Sequence, residues 1–156
     1  MATTYSTTFY TSGGAVKEDR AMSGSNAGGL LGASFSETIA TTVTDGLDEH
    51  YMQPAPANGN RRLQGFFISA GDMDTGGPTL DADIVFRTVL DGVVTDTMIY
   101  DSSVAGLFSA ALAFKYVHSG VKLPESDSGT GHFVFKVNAA ATTPAAANLT
   151  FVPLVN

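Results

Sequence analysis

Two runs of alternating apolar and polar residues, joined by a single Asp-Gly step, constrain the fold of this chain more than any other feature. In the first run, DADIVFRTVL, Ile84 and Phe86 fall on one face and Arg87 on the other, which is the period of a half-buried strand. Asp91-Gly92 separates this run from VVTDTMIYD. A type I′ turn needs positive φ at both central positions, and Asp-Gly tolerates this. The pattern therefore predicts a β-hairpin.

The rest of the chain repeats this kind of signal at fairly regular spacing. Further strands are predicted in FSETIATTVT, RLQGFFISA, AFKYVHSGVKLP, HFVFKVN and LTFVPLV. A chain of 156 residues suits one domain, and 17 glycines with only 15% charged residues favour an all-β domain. We expect an antiparallel two-sheet β-sandwich of jelly-roll kind. An up-and-down barrel is the alternative, because sequence alone does not fix strand order.

Three segments are expected to interrupt the strands. The helical spacing of apolar residues from Val104 to Leu112 predicts one short helix that follows a serine cap. Pro54 and Pro56 predict a loop before the strand RLQGFFISA. The polar stretch ESDSGTG, residues 125–131, predicts a turn.

The N-terminal part of the chain differs from the rest. Residues 1–34 are expected to form an extended N-terminal arm and flexible loop, which leaves residues 35–156 as the β-sandwich domain. Tyr5, Phe9 and Tyr10 are candidate interface anchors, because aromatic residues are enriched where interfaces carry their energy. The alternative is that these three residues pack on their own domain.

Charge and composition exclude several classes of partner. The net charge of −7 opposes a phosphate backbone, so we expect no direct contact with nucleic acid. Arg61 and Arg62 form the only adjacent basic pair, which we interpret as a solvated strand start rather than a phosphate site. The chain has no cysteine, no signal-like N-terminus and no long apolar run. We therefore expect a soluble, unsecreted chain that does not enter a membrane.

The segment GDMDTGGPTLDAD, residues 71–83, is the strongest candidate for chemistry. Its carboxylates, Asp72, Asp74, Asp81 and Asp83, could supply oxygen ligands to calcium. The EF-hand pattern fails, however, because no glutamate occupies the twelfth position and no helix precedes the loop. Asp and Gly also suit a turn. We favour a structural turn over a weak surface calcium site.

The remaining polar residues offer no recognisable reaction chemistry. His50, His118 and His132 are not spaced as zinc ligands on one element, and the segment SGSNAGG does not fit the G-x-S-x-G nucleophile pattern. Carboxylates are abundant, but none is set in an evident apolar pocket that would raise its pKa for acid catalysis. We expect no catalytic residues, no metal site and no cofactor, and hence a protein that is not an enzyme.

Three segments carry a resemblance to a known class of protein. They are RRLQGFFISAGDMDTGGPTLDADIVFRT, LDGVVTDTMIYD and GHFVFKVNAAATTPAAANLTFVPLV, which together cover about residues 61–156. Their order of strand, GDMDTGG turn, strand, hairpin, small helix and Ala/Thr-rich final approach resembles the small virion structural proteins of tailed bacteriophages. These are proteins of the decoration or auxiliary capsid type. The family has no catalytic motif, so the resemblance implies no catalytic residue.

The resemblance implies a non-enzymatic protein that decorates or stabilises the capsid surface through protein–protein contacts. The expected partners are the major capsid protein and neighbouring copies of the chain, in a homo-oligomer for which a trimer is favoured. The expected location is the capsid surface of the virion, after assembly in the host cytoplasm. The alternative is a tail or fibre β-sandwich module that binds carbohydrate or another virion protein.

Overall fold

A computed structural model describes residues 3–17, 35–39, 48–76, 79–101 and 112–156. This part of the chain contains nine strands: β1 Thr3–Tyr5, β2 Phe35–Ile39, β3 Glu49–Asn58, β4 Arg62–Ala70, β5 Asp81–Leu90, β6 Val93–Asp101, β7 Leu112–Lys122, β8 Glu125–Ala139 and β9 Ala147–Val155. They form one sheet in the order β1-β3-β8-β5-β6 and a second in the order β2-β9-β4-β7. Every pairing is antiparallel except that of β1 with β3.

Four phenylalanines form a continuous aromatic core between the two sheets. Phe86 and Phe133 from the first sheet have ring centroids 4.9 Å apart, and Phe133 lies 5.1 Å from Phe151 of the second sheet. Phe66 extends the row, 5.2 Å from Phe151, and all four side chains are fully buried. Tilted aromatic pairs of this kind contribute about 0.5–1.5 kcal/mol each beyond their buried area. The two sheets therefore pack face to face as a sandwich.

The predicted hairpin is confirmed. Asp91 and Gly92 have φ of 52° and 75°, the positive values of a type I′ turn, and Leu90 pairs with Val93 across it. Phe86 points into the core, as its place in the alternating pattern predicts. The all-β, two-sheet architecture is likewise confirmed.

The loop predicted to end in Asn58-Gly59 before Arg61 is confirmed only at its end, where Gly59 has φ of 72°, and is wrong at Pro54 and Pro56, because both prolines lie inside β3. β3 pairs with β8 along one side, but on its other side β1 covers only Glu49 to Tyr51. Beyond Tyr51, β3 is therefore an edge of the sheet. A proline is tolerated there because its missing N–H removes no hydrogen bond to a neighbouring strand.

The predicted turn at 125–131 is also wrong, since this polar stretch is the first half of β8. Gly129 within it has φ of 69°, and the pairing register with β3 shifts between Pro56 and Asn58. The strand therefore bulges where the sequence is richest in turn residues and then continues. The helix predicted from Val104 lies in residues 102–111, outside the described residues, and its expected last residue, Leu112, begins β7. The described part of the chain contains no helix.

The two lateral sides of the sandwich differ. On one side the segment 3–17, called the N-terminal segment below, lies against β3 and β2. On the other side β6 and β7 are both edge strands, and most of the residues described along them are exposed. The domain boundary predicted between residues 34 and 35 falls next to residues outside the described part and stays a prediction.

Candidate assembly surfaces

The N-terminal segment is held by a carboxylate on β2. Glu37 accepts hydrogen bonds from the Ser6 hydroxyl at 2.6 Å and from the backbone N–H of Thr8 at 3.0 Å. Burial alone would raise the pKa of Glu37, but the hydrogen bonds from Ser6 and Thr8 outweigh burial and lower it. Because β2 belongs to the second sheet and β1 to the first, this contact ties the segment to both sheets.

Two histidines of the first sheet lie beneath the same segment. His50 Nδ1 is 2.8 Å from the Thr4 hydroxyl, and His132 Nδ1 is 3.0 Å from the Tyr10 hydroxyl. Burial lowers the pKa of His50, although nearby Glu37 partly offsets the effect. Burial also lowers the pKa of His132. Both imidazole rings therefore favour the neutral form, and in that form they hydrogen-bond the N-terminal segment.

The three predicted interface anchors lie in this segment. Phe9 is 3% exposed and Tyr10 is 2% exposed, and both contribute to the core of their own chain. Tyr5 is half-buried beside Tyr51, with ring centroids 5.0 Å apart. Phe9 and Tyr10 thus pack within their own chain, Tyr5 is the one of the three that keeps accessible surface, and the role of the three as interface anchors stays a prediction.

The largest exposed apolar feature of the first sheet is the end of the β5–β6 hairpin. Val89, Leu90, Val93 and Val94 are 38%, 44%, 62% and 59% exposed. Val89 pairs with Val94 on one face, and Leu90 pairs with Val93 on the other. Both faces of the hairpin are therefore accessible at its end. Residues 89–94 are called the hairpin tip below.

The hairpin tip is held in place by the start of β8. The Asp127 carboxylate accepts hydrogen bonds from the backbone N–H groups of Asp91 and Gly92, at 3.1 Å and 3.4 Å. The Ser126 hydroxyl donates to the Val89 carbonyl at 3.1 Å. The projecting apolar tip is therefore preorganised, which lowers the entropy cost of binding a partner.

A second exposed apolar feature, the aromatic patch, lies on the outer face of the second sheet. Phe67 of β4 and Phe114 of β7 are stacked, with centroids 5.3 Å apart and ring planes 1° apart. Tyr116 packs against Phe67 at 5.2 Å. Phe114 and Tyr116 are 60% and 47% exposed. The sequence offered a signal for this patch that our reasoning missed, since these two aromatics alternate with Val117 and so fall on the solvent side of the strand.

The aspartate-rich segment forms a hydrogen-bonded turn where it is described. Asp74 is 2% exposed, and its carboxylate accepts backbone N–H bonds from Thr79, Leu80 and Thr143 at 3.0, 3.1 and 3.0 Å. Its oxygens therefore face donors rather than an open ligand position. Within residues 3–17, 35–39, 48–76, 79–101 and 112–156, no three His, Cys, Asp or Glu side chains are grouped closely enough to hold a metal ion.

The guanidinium group of Arg87 is also engaged in contacts within the fold. Arg87 makes paired hydrogen bonds to Glu49 at 2.6 and 2.8 Å and to Asp96 at 2.7 and 2.8 Å. Asp96 has a lowered pKa because Arg87 donates to it. Lys136 is 3.2 Å from the same carboxylate. This network crosses four strands of the first sheet and stabilises its outer face.

Comparison with solved structures identifies relatives of the fold. A chain in the capsid of Ralstonia phage GP4 superimposes with a TM-score of 0.63 at 18% identity, over 86% of this chain and 88% of that one. A chain in the cyanophage Pam1 capsid asymmetric unit gives 0.54 at 18% identity, over 88% and 93%. The fold is shared with chains of phage capsids. No protein-family model matches the sequence, and no curated protein matches it.

The two capsid chains cover 86% and 88% of this chain rather than one motif within it. At 18% identity the likeness shows the fold, in which the hairpin and the aromatic core of this chain are embedded.

The described part of the chain contains no helix that is long and apolar enough to cross a membrane.

Proposed function

We propose that this chain is a non-enzymatic structural protein of a bacteriophage virion that decorates or stabilises the capsid through protein–protein contacts. The observation that carries the proposal is the likeness to two phage capsid chains over most of this chain and most of each of them. The proposed partners are the major capsid protein and further copies of the chain, as a homo-oligomer with a trimer favoured. The proposed location is the capsid surface, reached by assembly in the host cytoplasm.

The exposed apolar surfaces support this role. The hairpin tip and the aromatic patch place aliphatic and aromatic side chains in solvent on a rigid sandwich, and the centres of protein interfaces are enriched in such groups. Phe114 and Tyr116 are fixed by ring contacts with Phe67, so their burial by a partner would cost little side-chain entropy.

The polar groups of the kinds used in catalysis support a role without it. Asp74 binds backbone donors, His50 and His132 bind hydroxyls of the N-terminal segment, and Arg87 is bound by two carboxylates. Each group is occupied by an interaction that stabilises the fold.

We also infer that the sandwich is a jelly roll. With β1 set aside, each sheet has four strands, β3-β8-β5-β6 and β2-β9-β4-β7. Successive strands cross from one sheet to the other, except that the hairpin joins β5 to β6 within a sheet. Two interleaved antiparallel sheets with crossing connections support a double Greek key.

Gold-labelled antibody against this chain, applied to purified virions and viewed by electron microscopy, tests the proposal. We expect label distributed over the capsid surface. Label confined to the tail would favour the fibre-module alternative, and virions without the chain would contradict any structural role.

A pair of variants tests the proposed contact surface in the same experiment. Phe114→Lys should reduce incorporation into particles, because it places a charge in the exposed aromatic patch. Thr38→Lys is the matched control, since Thr38 is exposed on β2 at the opposite edge of the same sheet. Equal incorporation of both variants would rule out the aromatic patch as the contact.

A further inference from the structure

A basic pocket lies at the same end of the sandwich as the hairpin tip. It has a volume of about 420 Å³ and is lined by Asn58, Asn60, Arg61, Arg62 and Asn156. The pocket adjoins the turn between β3 and β4. Asn58 pairs with Glu125 at the start of β8, and Asp127, two residues further along β8, contacts the hairpin tip.

Two positive charges lie side by side on the strands that border this pocket, Arg62 of its lining and Lys122 of β7. Arg62 is directly opposite Lys122 in the pairing of β4 with β7, and both side chains are exposed. Like charges directly opposite each other on neighbouring strands are destabilising. Arg62 also donates a hydrogen bond to the Gly120 carbonyl at 3.2 Å, which keeps its guanidinium near this position. An anionic partner would relieve the repulsion.

The hairpin tip has the complementary chemistry. It combines four exposed aliphatic side chains with the carboxylate of Asp91, and the Asp127 carboxylate of β8 lies beside it as the acceptor of the Asp91 and Gly92 amides. By contrast, the charge of Asp96, further along β6, is matched by Arg87 and Lys136 of the same sheet. The charge of Asp96 is therefore matched within the sheet, whereas Asp91 lies exposed at the turn of the hairpin.

Net charge determines which surfaces of two copies can meet. Two chains that each carry −7 repel each other, so a contact between them is favoured where it places a positive region of one against a negative region of the other. We propose that two copies of this chain bind each other through unlike surfaces, with the hairpin tip of one copy occupying the basic pocket of the next.

This contact adds a specific partner surface to the proposed structural role. Its biological meaning rests on that proposed role. It joins different surfaces of the two copies, so a pair joined by one such contact keeps a free pocket on the first copy and a free tip on the second, and further copies can add until a ring closes. Because both surfaces lie at one end of the sandwich, a ring would present the same end of every copy in one direction.

Sedimentation velocity of the purified full chain tests the contact without any virion. We expect the wild type to self-associate with concentration and the association to weaken as salt is raised. Arg62→Glu should raise the dissociation constant at least about tenfold, and Lys122→Glu should do the same if Arg62→Glu fails to fold. Lys115→Glu is the control, since it changes the net charge equally from a more distant position on β7.

A mixing experiment tests whether the two surfaces are unlike. The double variant Asp91→Asn/Val94→Lys alters only the tip, and Asn-Gly suits the type I′ turn at least as well as Asp-Gly. This variant and Arg62→Glu should each be monomeric, but their mixture should form a one-to-one dimer from the intact pocket of one and the intact tip of the other. No larger species should form.

Three outcomes would overturn the inference: a wild type that stays monomeric, an equal effect of Arg62→Glu and Lys115→Glu, or a mixture that stays monomeric. None of them would change where gold label falls on virions. Conversely, a chain absent from virions would contradict the proposed function and leave the self-association result intact.

Discussion

At the scale of single residues, Asp74 organises the end of the molecule opposite the hairpin tip. Its two carboxylate oxygens join the segment before β5 to the segment between β8 and β9, through Thr79 and Leu80 on one side and Thr143 on the other. Gly76 allows the close approach, because a Cβ there would lie 1.9 Å from the Thr143 hydroxyl. Burial would raise the pKa of Asp74, but the backbone donors hold it far below its usual range.

Asp74→Asn should lower the Tm by roughly 5 °C or more, because one acceptor oxygen is replaced by a donor and buried N–H groups lose their partner. Asp72→Asn is the control. Asp72 accepts one hydrogen bond, from the Asp74 N–H at 3.0 Å, which an asparagine oxygen can also accept. Thermal unfolding followed by circular dichroism measures both variants, and equal Tm values for the two would contradict this role of Asp74.

The pH dependence of this difference follows from the lowered pKa. A carboxyl group whose folded pKa is depressed stabilises the fold fully above its unfolded pKa of about 3.9, and the contribution disappears as pH falls towards the folded value. The Tm difference between wild type and Asp74→Asn should therefore stay constant from neutral pH to about pH 4 and shrink below it.

At the scale of elements, the N-terminal segment is held by two histidines whose protonation would weaken its attachment. His50 and His132 hydrogen-bond the segment, and burial lowers the pKa of both. The charged groups near them differ: Glu37 is 4.0 Å from His50, whereas Arg87 lowers the pKa of His132 further. A histidine with a depressed folded pKa stabilises the fold above its unfolded pKa of about 6.5, and this stability is lost as pH falls through the folded value.

Acidification below about pH 6.5 should therefore loosen the N-terminal segment before the rest of the sandwich. Hydrogen exchange, corrected for the intrinsic effect of pH, should show several-fold faster exchange at the Ser6 and Tyr10 amides, which donate to Tyr51 and Ser6 carbonyls. His132→Gln should weaken this pH dependence, whereas the same change at exposed His118 should not. Uniform exchange across the sandwich would argue against local release.

At the scale of the whole molecule, the N-terminal segment is part of the core rather than an appendage. Deleting residues 1–17 removes Phe9 and Tyr10 from the core, and loss of one buried aromatic side chain costs about 3–5 kcal/mol. The truncated chain should unfold at a much lower urea concentration than the full chain. Phe114→Ala is the control, because it removes an aromatic side chain that is 60% exposed. An unchanged midpoint after truncation would restore the idea of a dispensable arm.

Local patterns in the sequence predicted the strands that are buried on one face, and long-range contacts decided the rest. The alternation around Phe86 and the Asp-Gly step at 91–92 are local patterns, so they specify a hairpin independently of its place in the sandwich. Pro54 and Pro56 form a strand only because β1 stops at Tyr51 and leaves β3 an edge, a fact of topology with no local signal. Likewise, the glycine and serine content of residues 125–131 predicted a turn, because the sequence gives no local signal that this stretch pairs with β3.

The candidate surfaces were less predictable than the fold for a related reason. Aromatic side chains at Phe9 and Tyr10 look the same in sequence whether they face a partner or their own core. Exposure at the hairpin tip depends on how far β5 and β6 extend past the second sheet, which only the assembled sandwich determines. The aspartate segment was interpreted as a turn from its local chemistry, and Asp74 forms such a turn where the segment is described.

The unequal sides of the sandwich limit how these molecules could polymerise. One flank is blunted by a three-residue β1, by two prolines in β3 and by the short β2, while the other offers the long free margins of β6 and β7. Within the described residues, a second molecule aligned along β6 would occupy the long margin of the first sheet, and the blunted opposite flank would hinder further strand addition to that sheet. Lateral growth could then continue only along β7 of the second sheet.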